Sequence, residues 1–521
     1  MIMKRILTII CTFAIAMSML VSCNDELLNL SNPTELVSAN AYSTESDINS
    51  ALTGVYHCFY NSYFAMMNAM MLSGQSDELF SQSPDSGLVA FVNLSYPDYD
   101  RSFNAVTWSN LYQMVFRCNQ VLEYMKDIEF AQYDPVQIEA QARALRGMAY
   151  YYLAMFYKKA PYVDYIPTPQ DKAQESDFDE LCGHISDDLT FAYQKLPSSY
   201  KGEYRVTKWF AASFLGKLYM NRCEYDKALP FYKDIVENGG FSLCENYQDN
   251  FREDTENNCE SIFEIQNYGN QAFGAFYGRD NNGSTCSYNQ FRQKFFTMSP
   301  CGFGDYSVYD WIIDAYKNEL NKDGGYDLRL KNNVFYKEIF DDFPGEKLWM
   351  NRTSWDNDAW KDLNYIRKYT EDYCKTTSQV SFYCGINCRI LRYGETLLSY
   401  AECLANTGHL DEAVERVNQV RARANMPDLE DSTNPEIRKS VESLSAFMDN
   451  LDIERMKECC FEYDRFFDIR RFGLGTNEAY TAKVKARSMK HANNFTNGKE
   501  WMPIPRSEVD NNPNLSQNEG Y

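Results

Sequence analysis

Three stretches of this 521-residue chain set aromatic rings beside amides, carboxylates and guanidiniums. Tyr96, Tyr99 and Arg101 lie in the first, between Asp77 and Asn104; Tyr268, Tyr277, Asn281, Asn282 and Tyr288 lie in the second. Trp349, Trp355 and Trp360 lie in the third, beside Arg352 and Asp356. A flat aromatic face takes the C–H side of a sugar-like ring, and amides, carboxylates and Arg take its hydroxyls, so these stretches suit polar, ring-shaped ligands. The candidate contacts are Asp77, Tyr96, Tyr99, Arg101, Tyr268, Tyr277, Asn282, Tyr288, Trp349 and Trp355. One of the three loop tryptophans, not all, is expected to touch ligand. Trp108, Trp209 and Trp501 fall in helical or C-terminal stretches and read as core. With 39 Tyr, the chain carries more than one core usually uses.

Other reactive residue types give less. Glu454, Glu458 and Glu462 recur every fourth residue with Arg455 and Arg465 in reach, the spacing of ion pairs that lock a helix to its neighbours. Asp77-Glu78 either accepts hydrogen bonds from ligand hydroxyls or caps a turn. No G-x-S-x-G elbow, H-E-x-x-H pair or phosphate loop occurs, and His57, His184, His409 and His491 have no ligand spacing. Two carboxylates for glycoside hydrolysis are defined by separation in space, and nothing in the sequence singles out such a pair. Of the 16 cysteines, Cys384 with Cys388 and the neighbours Cys459 and Cys460 lack zinc spacing. Cys118, Cys223 and Cys403 fall on apolar helix faces and read as small buried hydrophobes. No cofactor, metal or particular disulfide is assigned.

The N-terminus carries an address. Lys4-Arg5, an apolar run from Ile6 to Val21 and the junction Leu20-Val21-Ser22-Cys23 form a lipoprotein signal, residues 1–22. Cys23 is then the lipidated N-terminus, and residues 23–40 are a tether to the outer membrane. No other apolar run is long enough to span a bilayer. Lys and Arg total 51 against 73 Asp and Glu, a formal charge of -22, which makes nucleic acid a poor partner.

These residues need elements to position them. Helical periodicity dominates from about 41 to 238 and returns over about 389–475. Leu215-Gly216-Lys217-Leu218-Tyr219, then Ala228 and Tyr232, match a tetratricopeptide repeat, in which small residues let antiparallel helices touch. Ala401, Leu404 and Ala413 repeat it around Thr407-Gly408-His409-Leu410. Two earlier helix pairs are predicted, near 47–66 with 105–126 and near 135–158 with 179–196. Between about 240 and 388, Gly, Asn, Asp and aromatics crowd together and short strands such as Ser261–Gln266 alternate. The fold class is mainly α, a tetratricopeptide-like helical-repeat scaffold with a loop-rich insertion containing short strands, all within one domain over 41–521. Long irregular insertions tend to carry function, so the ligand surface is placed here and in the loop from Asp77 to Asn104.

Five segments resemble the SusD-like (RagB/SusD) family of nutrient-uptake outer-membrane lipoproteins. Ala144–Leu153, followed by Pro161, resembles the family's "LRA-x-x-Y-x-x-L" helix. Leu391–Glu402 is similar to "LRYAE-x-LL-x-YAE", and Val417–Ala424 to "IN-x-VR-x-RAG". Glu454-Arg455 through Glu458, Glu462, Arg465, Asp468 and Arg471 resembles "ERR-x-EF-x-x-EG-x-R-x-x-DL-x-R". Met502–Pro505 with Asn512–Tyr521 resembles the family's closing segment. Met456, Cys459, Tyr463 and Lys158 depart from the usual Arg, Phe, Gly and Gly. Asn24-Asp25-Glu26 after Cys23 resembles the acidic export tag of Bacteroidetes surface lipoproteins. The resemblance implies an α-α superhelix and a non-catalytic lipoprotein facing the cell exterior. It also implies a SusC-like TonB-dependent transporter as partner, on which the chain acts as a lid that captures an oligosaccharide. The alternatives are the same lid handling peptides or another nutrient, or a surface glycoside hydrolase.

Overall fold

The computed structural model describes residues 42–61, 74–100, 102–168, 170–269, 290–380, 384–462 and 464–521. Cys23, Arg101, Tyr277, Asn281, Asn282 and Tyr288 lie outside the described residues.

The first half is a run of antiparallel helices: α1 (Glu45–Tyr56), α2 (Ser102–Tyr124), α3 (Pro135–Tyr157), α4 (Phe178–Lys195), α5 (Lys208–Asn221) and α6 (Tyr225–Asn238). Side-chain oxygens start most of them. Thr44 and Asp47 form a capping box at α1, Asp134 caps α3 with Pro135 in its first turn, and Asp177 and Thr207 cap α4 and α5. From α2 onward each helix packs on the next.

The repeat pattern has a steric cause. A Cβ added at Gly216 on α5 would lie 2.7 Å from the Tyr232 ring of α6, and one at Gly147 on α3 would lie 2.9 Å from Leu189 of α4. Only glycine admits these side chains so close to a neighbouring backbone. Because α5 is sandwiched between α4 and α6, Trp209 through Leu218 are buried all round, the pattern of a helix inside a stack.

The second half adds α7 (Asp310–Lys317), α8 (Tyr393–Asn406), α9 (Leu410–Arg423), α10 (Leu444–Cys459), α11 (Arg465–Arg471), α12 (Glu478–Arg487) and α13 (Met489–Asn494). Helix α8 closes the scaffold by packing on α6, α9 and α10. Among the described residues the strands form four antiparallel pairs: β1 (Leu79–Ser81) with β5 (Tyr306–Val308), β2 (Ala160–Pro161) with β3 (Glu175–Ser176), β4 (Ser261–Ile265) with β8 (Cys388–Arg392), and β6 (Val334–Phe335) with β7 (Tyr365–Ile366). The apolar-polar alternation of β4 does not separate a wet face from a dry one. Glu264 is buried like its neighbours and is answered across the pair by Arg389 at 3.0 Å.

Glu454 and Glu458 of α10, with Glu462 just past its end, do lock elements together, through partners far away in sequence. Glu458 receives Arg392 at 2.6 Å, Arg329 at 3.4 Å and Arg423. Glu454 receives Arg421 at 2.5 Å and Arg329 at 3.2 Å, and Glu462 receives Arg392 at 2.7 Å and Lys368 at 3.0 Å. The expected nearby arginines serve elsewhere: Arg455 grips Asp468 at 2.9 Å, and Arg465 grips Asp452 and Asp77. Cys118 and Cys403 are buried as expected, but Cys223 is exposed. It sits in the tight turn between α5 and α6 at a φ of 57°, so its side chain leaves the helix face the periodicity assigned it.

Candidate functional site

Five chain segments meet around a hollow of about 400 Å³. In β1 Leu79 and Ser81 are buried and Phe80 is half-buried, and Phe80 lines the hollow together with Ser81 at its edge. Strand β5 pairs Ser307 with Phe80, and Tyr309 just beyond it places its ring 4.9 Å from the Phe80 ring. The Val308 amide donates to the Asn364 carbonyl at 2.9 Å, which brings in the segment Asp362–Asn364. Helix α13 supplies the remaining wall with Met489, Lys490, Asn493 and Asn494. The result is an aromatic pair ringed by amides and carboxylates. Asn93, Asn364, Asn493, Asn494, Asp310 and Asp362 supply the polar groups, and Met489, 70% exposed, adds a soft apolar edge.

Hydrogen bonds fix the rim. Asn364 Nδ2 donates to Asp310 Oδ1 at 2.7 Å, and Asn494 Nδ2 donates to the Asn93 carbonyl at 2.8 Å. The Tyr309 amide donates to the Glu78 carbonyl at 3.1 Å. Lys490 lines the hollow but directs its ammonium to the Gly74 carbonyl at 2.5 Å. Burial pushes that ammonium down to about 7, against the opposing pull of Asp77 and Glu78. The rim therefore presents acceptors and neutral amides, with Lys337 paired to Asp362 at 2.6 Å.

Beneath the hollow lies a buried charge cluster. Asp77 carries Arg465 at 2.8 Å and Arg487 at 2.5 Å, and Asp452 bridges the same two arginines at 2.7 and 3.1 Å. The Trp311 indole donates to the Asp77 carbonyl at 3.0 Å, and the Arg487 guanidinium lies 4.6 Å from its ring. This cluster clamps the approach to β1 together with α7, α10, α11 and α12, and so holds Phe80 and Tyr309 in place.

The candidate contacts scatter when placed on this geometry. Asp77 is a correction: its carboxylate is fully buried and committed to two arginines. Tyr96 is another, since it packs against Phe91 and Tyr521 with its hydroxyl on Gln75. Trp349 is the third, fully buried and stacked on Phe335 at 5.8 Å. Each sits in a sequence that reads as a loop, but the loop folds inward. Tyr99 is half-buried against Tyr521, and Tyr268 is 61% exposed. Half-buried Trp355 meets the buried Trp360 edge-on at 4.9 Å, and its indole donates to the Lys361 carbonyl. The third stretch thus reaches the hollow through Asp362–Asn364 and not through its tryptophans. Trp108 and Trp209 are core as expected, whereas Trp501 is half-buried and lines a separate hollow with Phe178. Sequence reading missed Phe80, Tyr309, Asp310, Asn364 and α13. Aromatic and amide residues are too common for these positions to stand out before the chain converges. Among the described residues no group of three or more His, Cys, Asp or Glu is placed to hold a metal ion.

A family model described as "SusD family" matches residues 259–521, more than half of the chain, and a second, "Starch-binding associating with outer membrane", matches residues 26–220. The chain belongs to the SusD family. Its curated SusD-family relatives include SusD-like protein P2 of Formosa agariphila, 24% identical over 98% of this chain and 99% of that one. The starch-binding protein SusD of Bacteroides thetaiotaomicron is 23% identical, covering 73% of this chain and 72% of its own. A SusD superfamily protein from Bacteroides vulgatus superimposes with a TM-score of 0.78 at 23% identity, covering 92% of this chain and all of that one. Surface glycan-binding protein A of Bacteroides thetaiotaomicron, solved with laminarihexaose, gives 0.71 at 21% identity over 91% of this chain and 100% of its own. The SusD fold, a mainly helical repeat scaffold, accounts for the packing described above.

Proposed function

We propose that this SusD-family protein is a cell-surface lipoprotein that captures an oligosaccharide in the hollow between β1, β5, Asp362–Asn364 and α13. It passes the oligosaccharide to a SusC-like TonB-dependent transporter on which it sits as a lid, anchored to the outer membrane through Cys23. The observation that carries this reading is the Phe80 and Tyr309 aromatic pair set inside a ring of four Asn and two Asp side chains. Stacking takes the apolar face of a pyranose, and the surrounding amides and carboxylates take hydroxyls in both donor and acceptor senses. The carboxylates at the rim and the inward-turned Lys490 favour a neutral glycan over an anionic one. The names of two relatives, a starch-binding and a surface glycan-binding protein, agree with this chemistry.

Calorimetry of the purified protein against neutral oligosaccharides tests the reading. Phe80→Ala and Tyr309→Ala are each expected to weaken binding about tenfold or more while leaving the fold intact. Binding to peptides alone, or release of new reducing ends from a bound oligosaccharide, would overturn it.

A further inference from the structure

Cys244 follows α6 and Cys259 precedes β4, and their sulfurs lie 3.5 Å apart. Both backbones are pinned at that approach. The Ser242 amide donates to the Cys259 carbonyl at 3.1 Å, and the Cys244 amide donates to Glu260 Oε1 at 3.0 Å. Glu260 is itself held by Asn250 at 2.9 Å and by Arg423 at 2.7 Å. A disulfide needs its sulfurs at about 2.05 Å, so closure asks the two sulfurs to approach by ~1.5 Å.

We infer that Cys244 and Cys259 are joined by a disulfide once the chain meets a thiol–disulfide oxidant. Cys259 is exposed and Cys244 is buried, which sets the order of events. The Cys259 thiolate attacks the disulfide of the oxidant, forms a mixed disulfide and releases one thiol of the oxidant. Cys244 then gives up its proton and attacks the Cys259 sulfur, expelling the second thiol. Two protein thiols lose two electrons and two protons, and one disulfide of the oxidant becomes two thiols.

Burial, with the charge of Glu260 adding to it, pushes the Cys244 thiol up to about 12. Cys259 therefore makes the first attack and Cys244 the second. The bond ties the segment leaving α6 to the start of β4, beside the Glu260, Arg423 and Glu458 cluster that joins the helical scaffold to the insertion.

Peptide mapping without reductant tests this on protein recovered after export and on the same chain equilibrated with oxidised and reduced glutathione. The protein is unfolded in an alkylating reagent before digestion. The expected result is one cross-linked species joining the Cys244 and Cys259 peptides, two hydrogens lighter than their sum. In Cys244→Ser, Cys259 is expected to take up the alkylating reagent, and in Cys259→Ser, Cys244 is. Both residues alkylated in both preparations of the unaltered chain, or either linked to a different cysteine, would overturn the inference.

Discussion

Arg465 and Asp77, 388 positions apart in the chain, meet in a two-pronged ion pair with Nε on Oδ1 at 2.8 Å and Nη2 on Oδ2 at 3.0 Å. Arg465 belongs to a C-terminal helix and Asp77 to the approach to β1, so this contact fastens the strand that carries Phe80 to the scaffold. It also separates two roles that look alike in sequence. A carboxylate beside an aromatic-rich loop can hold a ligand or hold the loop, and here it holds the loop.

Asp77→Asn leaves Arg465 and Arg487 partly uncompensated in a buried site. Breaking one side of a buried pair costs about 3–5 kcal/mol. Urea unfolding is expected to show that loss, while glycan affinity measured well below the transition stays within a few-fold. A large affinity loss with unchanged stability would reassign Asp77 to the ligand.

Acid should dissolve the buried network within a defined window. Burial opposes ionisation of Asp77, Glu454 and Asp468, but the arginines around each outweigh it and hold all three carboxyls down at about 2. Their folded values lie below their unfolded ones, so their contribution is present above about pH 4 and is lost as pH falls through about 2. The urea midpoint is expected to fall steeply across that interval. A midpoint flat down to about pH 2 would contradict the ion-pair geometry.

At the repeat contact, Gly216→Val forces a side chain against the Tyr232 ring. Overpacking of this kind costs about 1–3 kcal/mol, and relief by Tyr232→Ala in the double variant would be visible as non-additive thermal shifts.

Lys158 ends α3 at a φ of 66°. A side chain there is strained, so Lys158→Gly is expected to stabilise the protein by about 1 kcal/mol, read from the shift in denaturant midpoint. This is also the position at which the family motif places glycine.

Trp349→Ala and Tyr309→Ala should separate core from site. The first empties a fully buried position and is expected to cost about 3–5 kcal/mol of stability. The second should leave unfolding nearly unchanged and reduce glycan affinity.

Much of the scaffold was legible because helices obey local rules. The spacing around Gly216, Ala228 and Tyr232 foretold a helix contact, since which residues face a neighbour is set by the helical period and not by distant chain. The every-fourth-residue spacing of Glu454, Glu458 and Glu462 foretold ion pairing, although α10 ends at Cys459 and Glu462 lies beyond it. The partners of these carboxylates were not legible: Arg329, Arg392, Arg421 and Arg423 reach them from other elements, and nothing local to α10 names them.

The site divides in the same way. The helical-repeat class and the family could be read from the chain alone, because both rest on local period and on short motifs. Long-range packing alone leaves Phe80 half-exposed while it buries Asp77, Tyr96 and Trp349, and it brings Tyr309 and α13 to the wall. The physical reason is that an irregular segment has no period to assign its faces. Whether an aromatic ring or a carboxylate there meets solvent or core depends on which distant groups arrive to bury it, and the arginines of α11 and α12 arrive from the far end of the chain.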